Sequence, residues 1–162
     1  MLGYHDLALA RLDREVRLRS IIQPACLPTD EDIPPPHTKA TVAGWGTTRE
    51  GKASPVLQKV RVPLMDPSKC EKLVKRYRLL KALYPRGVTG RILCAGAEEK
   101  DSCKGDSGGP LMIRRAHDSC QYEVLGIVSA GLGCGLPDIP GFYTEIPAYL
   151  DWIEGIVWER DP

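Results

Sequence analysis

The chain has 162 residues, a formal net charge of +1 and 43% apolar residues. That near-neutral balance argues against a nucleic-acid binder, whose affinity needs a basic face to displace counterions from phosphate. The length suits one domain with a buried core, and no apolar run is long enough to span a bilayer. Sixteen glycines and fourteen prolines favour many turns and short strands over long helices. The six cysteines do not form a CxxC array, which disfavours a zinc ribbon. Buried free thiols and a disulfide framework made in an oxidising compartment both fit the composition. Met1–Asp6 lacks a basic stretch followed by a long apolar run, so it does not read as a signal peptide.

In chain order, Leu7–Leu12 reads as a buried strand with Asp6 at its entry, and Ile21–Leu27 as a second short apolar run. Residues 29–37 hold an acidic triplet and three consecutive prolines, the composition of a surface linker. Thr41–Gly46 is a strand. Val56–Leu64 alternates as another, with Val56, Gln58, Val60, Val62 and Leu64 on one side. Ser68–Leu83 reads as a short helix starting near Ser68 and then a charged loop, its cations a solvated face. Val124–Ser129 and Gly141–Thr144 are further strands. Leu150, Ile153 and Val157 share one helical face behind Pro147, which predicts a single C-terminal helix against a β body.

The chemistry concentrates in Asp101–Pro110. Glycines flank Ser107 and let the backbone turn sharply, so that neighbouring N–H groups can converge on one spot. A lone Gly-Ser-Gly would be a flexible loop, but here the run is Gly-Asp-Ser-Gly-Gly-Pro. That run resembles the active-site motif of the trypsin/chymotrypsin family of serine peptidases. Asp6-Leu7-Ala8-Leu9, Ile22–Pro28, Ala43-Gly44-Trp45-Gly46, Leu93-Cys94-Ala95-Gly96 and Pro140-Gly141-Phe142-Tyr143 resemble further family segments in the same order.

The resemblance implies roles. Ser107 would be the nucleophile, Asp6 would orient a histidine, and the N–H groups of Gly105 and Ser107 would form the oxyanion hole. Asp101 would sit at the base of the specificity pocket and pair with an incoming cation, implying cleavage after Arg or Lys. Gly131 and Gly141 would wall that pocket, and Ser129-Ala130-Gly131 would lie along the substrate backbone. Ala130 stands where the family usually has an aromatic residue, which opens the neighbouring subsites. Asp106 would belong to the activation pocket and pair with a new N-terminal ammonium after zymogen cleavage. Two disulfides are implied, Cys70 with Cys94 and Cys103 with Cys134. Cys26 matches a position that often bridges to an activation peptide or upstream domain, and Cys120 has no counterpart; a pair with Cys26, a bond to another chain and a free thiol all stay open for it.

The family's histidine lies upstream of the aspartate, in a Thr-Ala-Ala-His-Cys context that this sequence does not contain. His5 neighbours Asp6, but adjacent strand residues point to opposite faces, and His37 and His117 read as solvated surface residues. The chain therefore reads as a partial gene product, inactive or severely impaired alone. The expected architecture is all-β, a chymotrypsin-like double β-barrel: a first-barrel remnant over residues 1–28, a linker over 29–38, and a complete second barrel with a C-terminal α-helix over 39–158. Expected partners are a protein or peptide substrate with Arg or Lys before the cleaved bond, inhibitor proteins and a covalent partner chain through Cys26; nucleic acid and membrane are not expected, nor any cofactor or metal. The family and its disulfides imply a secreted protein. Two rival readings are a non-catalytic recognition module and a half-domain that assembles with a separate first barrel.

Overall fold

The computed structural model describes residues 3–28, 34–48, 50–97, 100–114, 122–136 and 138–158. Among the described residues, six short strands build one sheet, and each hydrogen-bonded pair is antiparallel. β1 (Lys39–Gly44) pairs with β2 (Gln58–Pro63) over its full length, Lys39 opposite Pro63 and Gly44 opposite Gln58. The other face of β1 meets β4 (Pro110–Arg114), which pairs with β5 (Tyr122–Ala130). β5 pairs with β6 (Gly141–Glu145), and β6 with β3 (Ile92–Ala95). The order is therefore β2-β1-β4-β5-β6-β3. Its two edges meet: Leu64 bridges Ala95, and the Met65 N–H donates to the Cys94 carbonyl at 2.8 Å. A sheet whose edges touch is curled, and it hides the backbone groups that an open edge would expose.

Alternation along the strands fills the interior. Ala40 and Val42 from β1, Val62 from β2, Leu111 from β4, Leu125 from β5 and Tyr143 from β6 are buried together. The alternation expected over 56–64 holds from Val60 onward, through Val62 and Leu64; Gln58 is exposed, and Val56 lies outside the strand and is exposed too. β3 and β4 escaped the strand reading. All four residues of β3 are buried, so it carries no polar alternation to reveal it.

A second cluster lies outside β3 and β6, where two helices cover the sheet. α1 (Pro67–Arg76) starts where Asp66 accepts the Ser68 N–H at 2.7 Å, with proline in the first turn, where its missing N–H costs nothing. Cys70 and Val74 face inward, and the Cys70–Cys94 disulfide ties the helix to β3. Extended Tyr77 ends α1, and a second helix, α2 (Arg78–Leu83), replaces the expected charged loop. Leu80 is fully buried and Tyr84 nearly so, and this apolar spacing holds α2 down while its cations stay in water.

The chain ends in a 3₁₀ turn (Pro147–Tyr149) and α3 (Leu150–Val157). Ile146, Tyr149 and Ile153 bury against Leu7, Leu27 and Val124. Val157 is exposed, so the predicted apolar face is anchored chiefly by Ile153.

The expected buried strand at Leu7–Leu12 does not form. Between Ala8 and Ala25 the described side chains are exposed, Leu12 at 65% and Ile21 at 88%, and the only pairing there is a bridge between Arg19 and Ile22. A strand needs a neighbour for its hydrogen bonds and a surface for its apolar face, and no described element lies alongside this segment. Its ends are nonetheless anchored: the Tyr4 hydroxyl donates to the Gly87 carbonyl at 2.8 Å, and the Cys26 N–H donates to the Tyr122 carbonyl at 2.9 Å. Among the described residues, no helix is long and apolar enough to cross a membrane.

Candidate active site

The loop 103–109 is held by its own backbone and by β5. The Asp106 N–H donates to the Cys103 carbonyl and the Gly109 N–H to the Asp106 carbonyl, at 2.9 and 2.8 Å. Gly108 and Val128 fasten the loop to the strand: the Gly108 N–H donates to Val128 and the Val128 N–H to Gly109, both at 2.9 Å. Gly105 and Gly108 have φ of +97° and +80°, a conformation that side chains disfavour. The Asp106 carboxylate is turned inward, accepting the Gly46 N–H at 2.8 Å and the Cys103 N–H at 2.9 Å. A side chain at Gly44 or Gly46 would collide with it, which explains the glycines on either side of Trp45. This bracing leaves Ser107 exposed at the turn, and among the described residues the N–H groups of Gly105 and Ser107 have no acceptor.

Asp6 is brought to the same strand. The Ser129 hydroxyl donates to its carboxylate at 2.6 Å, and the Thr144 hydroxyl donates to its carbonyl at 2.8 Å. Ser129 directly follows Val128, so the serine loop and Asp6 hang from adjacent residues of β5. Neither Thr144 nor this role of Ser129 was read from the sequence. Nor was Tyr84, which stacks on Phe142 at 5.3 Å, meets Tyr4 edge-on at 5.5 Å and closes against Gly3. Burial pushes the Tyr84 hydroxyl up to about 12, so it stays neutral beside Asp6. His5 turns away: its Nδ1 lies 3.1 Å from the Tyr149 hydroxyl and its ring packs edge-on against that tyrosine. His37 is exposed ahead of β1, and His117 lies outside the described residues.

Asp101 is the most informative carboxylate. One oxygen accepts the Ser102 N–H at 2.8 Å, while Oδ2 is buried with no partner. Burial pushes its carboxyl up to about 6, against the pull of nearby backbone N–H groups at Ser102, Gly135 and Gly141, of which Ser102 alone comes into hydrogen-bond geometry. The Tyr143 hydroxyl donates to Ser102 Oγ at 3.3 Å and fixes the residue beside it. A Cβ at Gly141 would stand 2.7 Å from Asp101 Oδ1, whereas one at Gly131 would meet only an ordinary contact at 3.4 Å. Glycine is thus dictated at 141 and merely tolerated at 131. The Cys103–Cys134 disulfide joins the serine loop to the segment after β5. A cleft of about 470 Å³ is lined by Asp101, Asp106, Gly46, Cys103 and Cys134; Ser107 is not part of its lining. Ala130 packs beside the Tyr84–Phe142 cluster. Cys26 is disulfide-bonded, and Cys120 lies outside the described residues. No group of residues suited to hold a metal occurs among the described ones.

Comparison with known proteins places the chain in a family. A family model described as Trypsin matches residues 3–153. Phenoloxidase-activating factor 1 of Holotrichia diomphalia is 43% identical over 155 residues, covering 94% of this chain and 40% of the relative. Phenoloxidase-activating factor 3 of the same species is 37% identical over 152 residues, covering 93% and 41%. Serine protease Hayan of Drosophila melanogaster is 36% identical over 159 residues, covering 96% and 25%. The chain thus spans about two-fifths or less of the length of these relatives. A curled six-stranded sheet with a C-terminal helix, the braced Gly-Asp-Ser-Gly-Gly loop and a family match over nearly the whole length together mean that this chain belongs to the trypsin family of serine peptidases.

Proposed function

We propose that the chain carries the nucleophile and the specificity pocket of a trypsin-like endopeptidase that cleaves after Arg or Lys. The observation that carries this reading is Asp101: a buried carboxylate oxygen without a partner is costly unless a cation arrives to use it. Ser107 would attack the scissile carbonyl, and the two N–H groups without acceptors, Gly105 and Ser107, would receive the oxyanion. Asp6, steadied by Ser129, would orient the imidazole that takes the serine proton. Asp106 would supply the carboxylate of the activation pocket. Neither His5 nor His37 bonds to Asp6, so the base would come from outside the described residues, and the chain alone is expected to hydrolyse peptides poorly. Two of the relatives are named for activating phenoloxidase, which supports a protein substrate. The disulfides, Cys70–Cys94 and Cys103–Cys134 among them, support an oxidising, extracellular setting.

The test offers the purified chain a chromogenic peptide with Arg before the reporter group. The chain is assayed alone and with a separately supplied first half-domain carrying the Thr-Ala-Ala-His-Cys segment. Hydrolysis restored by the added half, and lost in Ser107→Ala, is the expected result. Tight binding of the Arg peptide without hydrolysis in either arm replaces this reading with that of a recognition module.

A further inference from the structure

We propose that the α1–α2 hairpin and the loop after it form a binding site for a sulfated polysaccharide, independent of any catalysis at Ser107. Residues 67–91 contain eight Lys and Arg against a single carboxylate, Glu71, in a chain whose total charge is only +1. All eight cations are exposed. Among the described residues, Lys75 is paired with Glu71 at 3.1 Å, Glu71 being itself tied to the Val88 N–H at 2.6 Å, and Lys69 lies near the Asp66 carboxylate that caps α1; the other six cations have no ion pair.

The fold arranges these charges. Cys70 and Val74, flanked by Leu73 and Tyr77, define the inward side of α1. Lys69, Lys72 and Arg76 recur at spacings of three and four along one exposed flank, a stripe about 10 Å long. Arg78 and Lys81 extend the basic surface on α2. The Arg86 guanidinium stands 4.6 Å from the centre of the Tyr4 ring, held in place without being neutralised.

The ligand class follows from what the surface lacks. Protein partners bury an apolar, aromatic-rich centre, yet Leu79 is the one exposed large apolar side chain among the described residues of this segment. A surface of cations without an apolar centre suits a flexible polyanion bound through counterion release. In the extracellular setting supported by the disulfides, that polyanion is a sulfated glycan.

The full chain is passed over immobilised heparin and over a sulfonate exchanger of matched charge density, with salt gradients. The test variant is Lys69→Glu/Lys72→Glu/Arg76→Glu. Its control, Lys39→Glu/Lys52→Glu/Arg61→Glu, makes the same charge change elsewhere on the surface, and circular dichroism verifies both folds. The neutral triple Lys69→Gln/Lys72→Gln/Arg76→Gln removes the charges without adding repulsion. We expect the wild type to bind heparin beyond the exchanger's retention. The hairpin variants should weaken heparin binding roughly tenfold or more, with a salt slope shallower by about 2–3, and the control should do neither. Equal loss in control and hairpin variants, retention no better than on the exchanger, or equal competition by polyglutamate or anionic phospholipid vesicles would overturn the site.

Discussion

At the scale of single residues, Asp101 sets two measurable behaviours. Its carboxyl titrates at about 6 because burial disfavours the charge. Affinity for an amidinium ligand such as benzamidine should therefore be level above pH 6 and fall about tenfold for each pH unit below it. Asp101→Asn should weaken that affinity roughly 100-fold or more and erase its pH dependence, which titration calorimetry between pH 5 and 8 would show. The two glycines expected to wall the pocket provide a second contrast. Gly141→Ala forces a methyl group against the Asp101 carboxylate and should cost about 1–3 kcal/mol in thermal unfolding, whereas Gly131→Ala should be close to neutral. Ser107, Asp101 and Asp106 were legible in the sequence because they share one contiguous motif. Thr144 and Tyr84 were not, because their relation to Asp6 exists only once β6 and the segment after α2 have folded against it.

At the scale of elements, the Cys103–Cys134 disulfide closes 31 residues and links the serine loop to the segment after β5. Replacing both cysteines by serine should lower stability by about 2–4 kcal/mol. Amidinium affinity should drop as well, because this bridge lines the cleft that Asp101 enters; unchanged affinity in a correctly folded variant would show that the sheet alone shapes the cleft. The strands with clear alternation were legible, as was the start of α1. α2 was misread because six residues within a lysine- and arginine-rich stretch are too few for periodicity to stand out, while Leu80 and the neighbouring Tyr84 suffice to bury one side.

For the molecule as a whole, two buried carboxyls govern the pH response. Asp101 titrates at about 6, and Glu145, raised by burial alone, at about 7. Both values lie above those of the unfolded chain, so the folded state holds more protons and stability falls as pH rises from about 4 towards 7. Near pH 4 and below, Asp66 and Glu71, held low by their hydrogen bonds, pull the other way as they take up protons. Thermal unfolding should therefore show a higher midpoint near pH 5.5 than at pH 8. The double variant Asp101→Asn/Glu145→Gln should flatten that difference, and a midpoint that rises steadily to pH 8 would contradict the burial of both groups. The +1 total coexists with a strongly basic hairpin that the sequence shows as a charge run, because a sum over residues carries no information on where the charges gather.

Taken alone, the sequence determined the serine loop, the family and much of the strand pattern. Those features rest on neighbouring residues, whose backbone freedom, turn chemistry and alternation are local properties. Only the tertiary structure decided that Asp6 meets Ser129 across 123 positions, that one Asp101 oxygen is buried while the other faces Gly141, and that the apolar side chains interspersed among the charges from Leu9 to Ile22 stand in water. Burial and long-range hydrogen bonds depend on which segments the folded path brings together, and residues far apart in the chain do not announce that they will be neighbours.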